Sequence, residues 1–175
     1  IENILSDAIV NFENEITINN IDLYKKNFDA VVMTSSLDLF LDHNEKLEWR
    51  GIESKAEFYP TSSDEEKLTE AYQINHPSLN DEFTRTIETK HASGQLVSGT
   101  VVCKEYPVSG LRHYPVLNKD DSNTKLNNKL KEIINKSVSL PVFFCGRLAN
   151  YQYINQDEAI LQGFSAAKKL RNHFK

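Results

Sequence analysis

Hydrophobic and polar positions along this chain change their period several times. Ile1, Ile4, Leu5, Ala8 and Ile9 recur at helical spacing, so residues 1–10 are expected to form the end of an amphipathic helix. Residues 15–18, Glu-Ile-Thr-Ile, alternate and predict a short strand. Residues 29–34 are a continuous, mostly apolar run with two adjacent valines, which predicts a strand buried on both faces. Residues 37–41 then take helical spacing.

From residue 46 the pattern shortens. Segments 47–52, 55–59, 71–74, 85–90 and 100–106 are strand-like and separated by polar or glycine-containing links, which together predict an antiparallel sheet. Asp121-Ser122 can cap a helix carrying Leu126, Leu130, Ile133 and Ile134 on one face. Residues 141–145 predict another buried strand, ending at Gly146-Arg147. Asp157 opens a last helix, with Ile160, Phe164 and Ala167 expected inward and Lys168-Lys169 near its C-terminus, where cations suit the helix dipole. The expected fold class is α+β: a central antiparallel sheet over about residues 46–118, flanked by helices and strands from 1–45 and 119–175.

Composition narrows the function classes. With 175 residues the chain can bury a core without disulfides. A net charge of −5, with acids and bases interspersed, argues against a nucleic-acid partner. Cys103 and Cys145 have no metal spacing and sit in apolar runs, so they read as reduced, buried thiols, and no metal is expected. No apolar run reaches the roughly 18 residues of a membrane span. Residues 1–10 carry acids and no basic segment, unlike a signal peptide. A cytoplasmic location is therefore expected.

Glycine is scarce. The six, at 51, 94, 99, 110, 146 and 163, are too far apart to make a GxGxxG turn or a P-loop. No GxSxG or HExxH occurs, and the acidic runs 64–66 and 120–121 read as solvated surface. Three stretches could carry chemistry. In residues 144–157 a strand runs into glycine, arginine, tyrosines and a helix start, where backbone can approach a ligand and N–H groups can face an anion. Its bland alternative is a strand-to-helix loop with surface tyrosines. Residues 84–91, TRTIETKH, alternate so that Arg85, Ile87 and Thr89 point one way and Thr86, Glu88 and Lys90 the other. The bland alternative is a salt-bridged sheet face, with His91 structural or on the surface. In Arg112-His113-Tyr114-Pro115-Val116 the tyrosine hydroxyl could reach a phosphate, although Tyr-Pro is commonly just an extended turn.

Taken in order, FDAVVMTSSLDLF (28–40), KLEWRGIE (46–53), TRTIETKH (84–91), KEYP (104–107), HYPV (113–116) and FCGRLANYQYINQDEAI (144–160) resemble the UDP-galactopyranose mutase family. The resemblance implies a flavin-dependent isomerase that interconverts UDP-galactopyranose and UDP-galactofuranose without net redox change. Reduced FAD acts as the nucleophile at the anomeric carbon, so no catalytic side chain is assigned beyond the flavin. By matching position, Arg85, Tyr114, Tyr153, Asn75 and Asn155 are implied at the substrate. Gly146, Arg147, Arg50 and Gln156 are implied at the cofactor. A UDP-sugar substrate, a homodimer and a place in cell-surface polysaccharide synthesis are implied as well. Asn155 stands where the family has Asp, Gln156 where it has Met, Ser35-Ser36 where it has Gly-Pro, and His113 where it has the first Tyr of Tyr-Tyr-Pro.

The resemblance covers the C-terminal part of such an enzyme, and the flavin-cradling loop and the helical domain would lie upstream. The chain is thus expected to be a fragment, inactive by itself. The alternatives are a flavoenzyme for another UDP-sugar and a non-enzymatic carbohydrate- or nucleotide-binding module. Because no glycine-rich turn is available for a pyrophosphate, the isolated chain is expected to purify without a flavin absorption band. A yellow protein with stoichiometric flavin would overturn that expectation.

Overall fold

A computed structural model describes residues 5–175. In chain order it has a 3-10 helix (Ile21–Tyr24), β1 (Val31–Met33), α1 (Leu37–Phe40), β2 (Trp49–Tyr59), β3 (Gln73–Asn75), β4 (Arg85–Glu88) and α2 (Lys90–Ser93). These are followed by β5 (Thr100–Val108), β6 (Tyr114–Pro115), α3 (Ser122–Ser137), β7 (Val142–Phe144), α4 (Gly146–Asn150) and α5 (Gln156–His173). The class is α+β. Two compact units separate: residues 5–48 with 117–175, and residues 49–116.

The second unit is a five-stranded antiparallel sheet in the order β3-β4-β5-β2-β6. The two segments expected at 47–52 and 55–59 are one strand of 11 residues, β2. Gly51 is the reason it can pass close to the 108–111 turn: a Cβ there would lie 2.7 Å from both the Leu111 Cβ and the Val108 carbonyl oxygen.

This sheet is organised around a buried carboxylate. Glu88 is fully buried. Its Oε1 accepts from the Thr100 hydroxyl at 2.7 Å, and its Oε2 accepts from the Thr69 N–H at 2.7 Å and the Thr69 hydroxyl at 2.6 Å. The Leu68 N–H is shared between both oxygens at 3.1 Å. His91 Nε2 lies 3.5 Å from Oε2 and also meets the Thr69 carbonyl at 2.9 Å, so this histidine is structural. The neighbouring Lys90 is buried too, and its ammonium donates to the Val97 and Gly99 carbonyls.

The first unit pairs β1 with β7 in parallel, Val31 opposite Val142 through Met33 opposite Phe144. Its buried core includes Met33, Leu37 and Phe40, Leu130 and Ile134 of α3, and Ala149, Tyr151 and Ile154. Asp38 is buried there and accepts the Leu47 N–H at 3.1 Å.

Several expectations are corrected. The strand expected over 85–90 ends at Glu88 and α2 follows, while β7 and Cys103 are half-buried, not buried. Residues 5–10 form a turn with exposed side chains, not a helix, and Ile1 and Ile4 lie outside the described residues. Residues 15–18 are not a strand: Asn20 accepts the Thr17 N–H and donates to the Glu15 carbonyl, and this side-chain turn leads into the 3-10 helix. β1 is not buried on both faces, since Val32 is exposed. Asp121 precedes α3 in the left-handed region and makes no side-chain cap.

The α5 expectation reverses. Ile160 and Phe164 are exposed, as is Ala167, while Ala166 is buried and Gln162 half-buried. The inward face is the small-residue one because Gln162 turns in to bond the β7–α4 corner, described below.

Burial pushes the Glu88 carboxyl pKa up, but its hydrogen bonds from Thr69, Thr100 and Leu68 outweigh that and hold it at about 2, against an ordinary 4.5. A depressed acid stabilises the fold above its unfolded pKa and loses that contribution as pH falls towards the folded value. The gap is worth on the order of 3 kcal/mol. Stability is therefore expected to fall between about pH 4.5 and pH 2. Glu88→Gln places an amide NH2 among converging donors, and is expected to cost roughly 2–3 kcal/mol at neutral pH and flatten the acid limb. Chemical denaturation as a function of pH checks both.

Candidate functional site

On the sheet, register places most of the sequence-selected residues. Asn75 pairs with Arg85, Arg85 with Glu105, and Glu105 with Ser54, giving one row across four strands. Alternation along β2 puts Arg50 on the same face as Ser54, and Tyr114 is paired directly with Arg50. Asn75, Arg85, Arg50 and Tyr114 thus share one face. Glu88 and Thr86 take the other. The shared face is largely open: Asn75, Ser54, Ala56 and Arg50 are exposed, and Arg85 is half-buried.

Arg85 is not loose on that face. Its Nη1 lies 3.3 Å from Glu105 Oε2. Asn75 accepts from the Gln73 amide at 3.2 Å. His113, which departs from the family's tyrosine, accepts the Ile52 N–H on Nδ1 at 2.9 Å, and its own N–H donates to the Arg50 carbonyl at 3.2 Å. An imidazole nitrogen can take that N–H, so the exchange suits this strand edge.

Gly146, Arg147, Tyr153, Asn155 and Gln156 all belong to the other unit. β7 ends at Cys145, and Gly146 turns the chain with φ +83°, a region that favours glycine. Apart from its chain neighbours and the backbone of its own helix, nothing lies within 4 Å of where its Cβ would be. Arg147 folds back: its Nε and Nη2 both donate to the Ile154 carbonyl, and its guanidinium carbon lies 5.4 Å from the Tyr153 ring centre. Tyr153 is exposed. Asn155 is the N-cap of α5 and forms a reciprocal capping box with Glu158, whose Oε2 accepts the Asn155 N–H at 2.8 Å. Gln156 follows as the first helical residue.

Sequence reasoning passed over two residues here. Gln162 Oε1 accepts the Gly146 N–H at 2.9 Å and the Asn150 amide at 2.8 Å, and its Nε2 donates to Gln152 Oε1 at 2.8 Å. It fixes the glycine corner to α5. Its signal was a polar residue at helical spacing with Ala159 and Ala166, which the larger Ile160 and Phe164 masked. Tyr151, which the bland reading of 144–157 puts on the surface, is buried, with a left-handed backbone and a hydroxyl that donates to the Glu48 carbonyl. A cleft of about 730 Å³ opens between α3 and α5, with Asn127, Lys131, Asn150, Tyr153, Glu158 and Gln162 among its walls.

Comparison with known families is specific: the UDP-galactopyranose mutase family matches residues 1–153, and the chain belongs to that family. The family is one of FAD-dependent isomerases. The matched stretch ends at Tyr153, so Asn155 and Gln156 lie just beyond it. Among the described residues no helix is long and apolar enough to cross a membrane, and no cluster of His, Cys, Asp and Glu could hold a metal.

The capping role separates two readings of Asn155. Asn155→Ala is expected to cost about 1 kcal/mol of stability, whereas Asn155→Asp, which restores the family's residue and keeps an acceptor at the helix start, is expected to cost nothing. Equal melting temperatures for the two variants would show that the cap contributes nothing.

Proposed function

We propose that this chain serves the interconversion of UDP-galactopyranose and UDP-galactofuranose, with Arg85 and Tyr114 of the sheet unit meeting the substrate diphosphate; the family resemblance assigns Tyr153 to the same ligand. Asn75 and Asn155 are assigned to the sugar by the family resemblance. The observation that carries this reading is the placement of Arg85. It shares an open sheet face with Asn75, Arg50 and Tyr114, and its guanidinium is held by a carboxylate that a phosphate can replace.

Magnitudes favour the exchange. A partly exposed Arg–Glu pair is worth about 0–1 kcal/mol. A charge-assisted arginine–phosphate bond is worth roughly 1.5–3 kcal/mol, and the planar fork can grip two oxygens at once. Glu105 then keeps the guanidinium aimed across the face until substrate arrives. Tyr114 and Tyr153 add hydroxyl donors to the same phosphates. Asn75, in the row with Arg85, offers both a donor and an acceptor to sugar hydroxyls.

FAD is the family's cofactor, and the glycine corner is the part of this chain proposed to meet it. At Gly146 a side chain is absent and its Cβ position is clear of other elements, which would let a ligand approach the backbone, with Arg147 and Gln156 the nearby polar residues; the family resemblance assigns Arg50 to the cofactor as well. When bound in its reduced form, the flavin supplies the nucleophile for the anomeric carbon. The residues of this chain would orient the sugar nucleotide, hold the departing diphosphate and exclude water. Nothing in that scheme needs a catalytic triad. The sheet unit would be the substrate half, and the other unit part of the flavin domain. Dimer formation and a cytoplasmic setting remain parts of the same proposal.

In the complete enzyme, Arg85→Ala is expected to weaken UDP-sugar binding by about one to two orders of magnitude. Arg85→Lys is expected to recover part of that, since the charge remains and the fork is lost. Tyr114→Phe and Tyr153→Phe are expected to cost less each. If Arg85 only serves as a structural partner of Glu105, Arg85→Ala will lower the melting temperature and leave UDP affinity unchanged. Calorimetric titration with UDP alongside thermal denaturation distinguishes the two.

A further inference from the structure

We propose that the cleft between α3, β7 and α5 is a separate binding site for a phosphoryl dianion, held between Lys131 and Lys169. It lies wholly within the unit that lacks Arg85, and it does not rest on the mutase reading. The cavity is about 360 Å³, walled on one side by Phe143 and Phe144 and on the other by polar groups of α3 and α5.

Charge is what marks it. Lys131 is half-buried, stands 5.4 Å over the Phe144 ring, and donates one of its three N–H groups to Asn150 Oδ1 at 2.8 Å. Lys169 lines the same cavity. Among the described residues neither lysine pairs with a carboxylate. Two lysines therefore line one cleft with no paired carboxylate among the described residues, Lys131 half-buried and Lys169 exposed but close enough to act on its charge. Burial, then the charge of Lys169, pull the Lys131 pKa down, as expected for a cation in want of a counter-ion.

The neutral groups around them suit the same ligand. The Asn135 amide and the Ser165 hydroxyl line the cavity and make no hydrogen bond within the described structure. Gln162, by contrast, is committed to Gly146, Asn150 and Gln152 and acts as a fixed wall. A phosphoryl group offers two negative charges and several acceptor oxygens to two ammoniums, one hydroxyl and one amide. A single carboxylate supplies half that charge. The aromatic wall leaves room for the organic body of a phosphate ester.

The test uses inorganic phosphate on the 175-residue chain carrying Arg85→Ala, which removes the other candidate phosphate group. Phosphate is expected to raise the melting temperature beyond sodium chloride of matched ionic strength. Lys131→Gln and Lys169→Gln are each expected to weaken the apparent phosphate affinity at least about tenfold. Lys136→Gln, an exposed lysine of α3 outside the cavity, is expected to change nothing. If Lys131→Gln fails to fold, the exposed Lys169 carries the comparison by itself. An equal response to chloride would mean simple screening of lysine repulsion and would overturn the proposal. So would a phosphate response that survives Lys169→Gln.

Discussion

A fully buried carboxylate cannot be left without donors, and Glu88 imposes that condition on the sheet unit. To satisfy it, β4 must carry Glu88 inward, β5 must bring Thr100 beside it, and the segment before β3 must fold back so that Leu68 and Thr69 present their N–H groups. Strand alternation then transmits the choice. Arg85 is three residues earlier, so it points to the opposite face, and register with β3 and β5 aligns Asn75 and Glu105 with it. The face proposed to meet substrate is in this sense a by-product of how the other face is satisfied. A slip of one residue would bury the arginine and expose the carboxylate.

Gln162 plays the corresponding part in the other unit. Gly146 allows the turn after β7, but conformational freedom alone does not fix a corner. A side-chain amide that bonds the Gly146 N–H, Asn150 and Gln152 joins α4, the following loop and α5 at one point. The consequence is visible on the outside of α5, where Ile160, Leu161 and Phe164 are left exposed. Inward burial of those side chains would have gained more apolar contact. The polar hub instead brings the small residues Ala159, Gly163 and Ala166 towards the body of the unit, where a helix can pack closely.

Departures from the family pattern have structural explanations in two places. His113 serves the Ile52 N–H through a ring nitrogen, and Asn155 caps α5 as an aspartate there would. Ser36 has none: its hydroxyl is buried at the start of α1 without a hydrogen-bond partner. Where Arg147 is concerned, the guanidinium is anchored on the Ile154 carbonyl and stacked against Tyr153, so those residues form one local assembly.

The sequence by itself determined the α+β class, most of the sheet segments, helices beginning near residues 122 and 157, and the family. Each of these rests on local period or on short ordered motifs, and local information suffices for them. It also determined that Arg85 and Glu88 face opposite ways, because alternation is a property of any strand. Tertiary structure alone decided which way was inward, since that depends on Thr69 and Thr100, which are 19 and 12 residues from Glu88. It likewise decided the face of α5, the burial of Tyr151, and the turn that replaces a strand at residues 15–18. In each case a hydrogen bond between residues that periodicity treats as unrelated outweighed the apolar pattern, because an unsatisfied buried polar group costs more than a partly exposed isoleucine or phenylalanine gains.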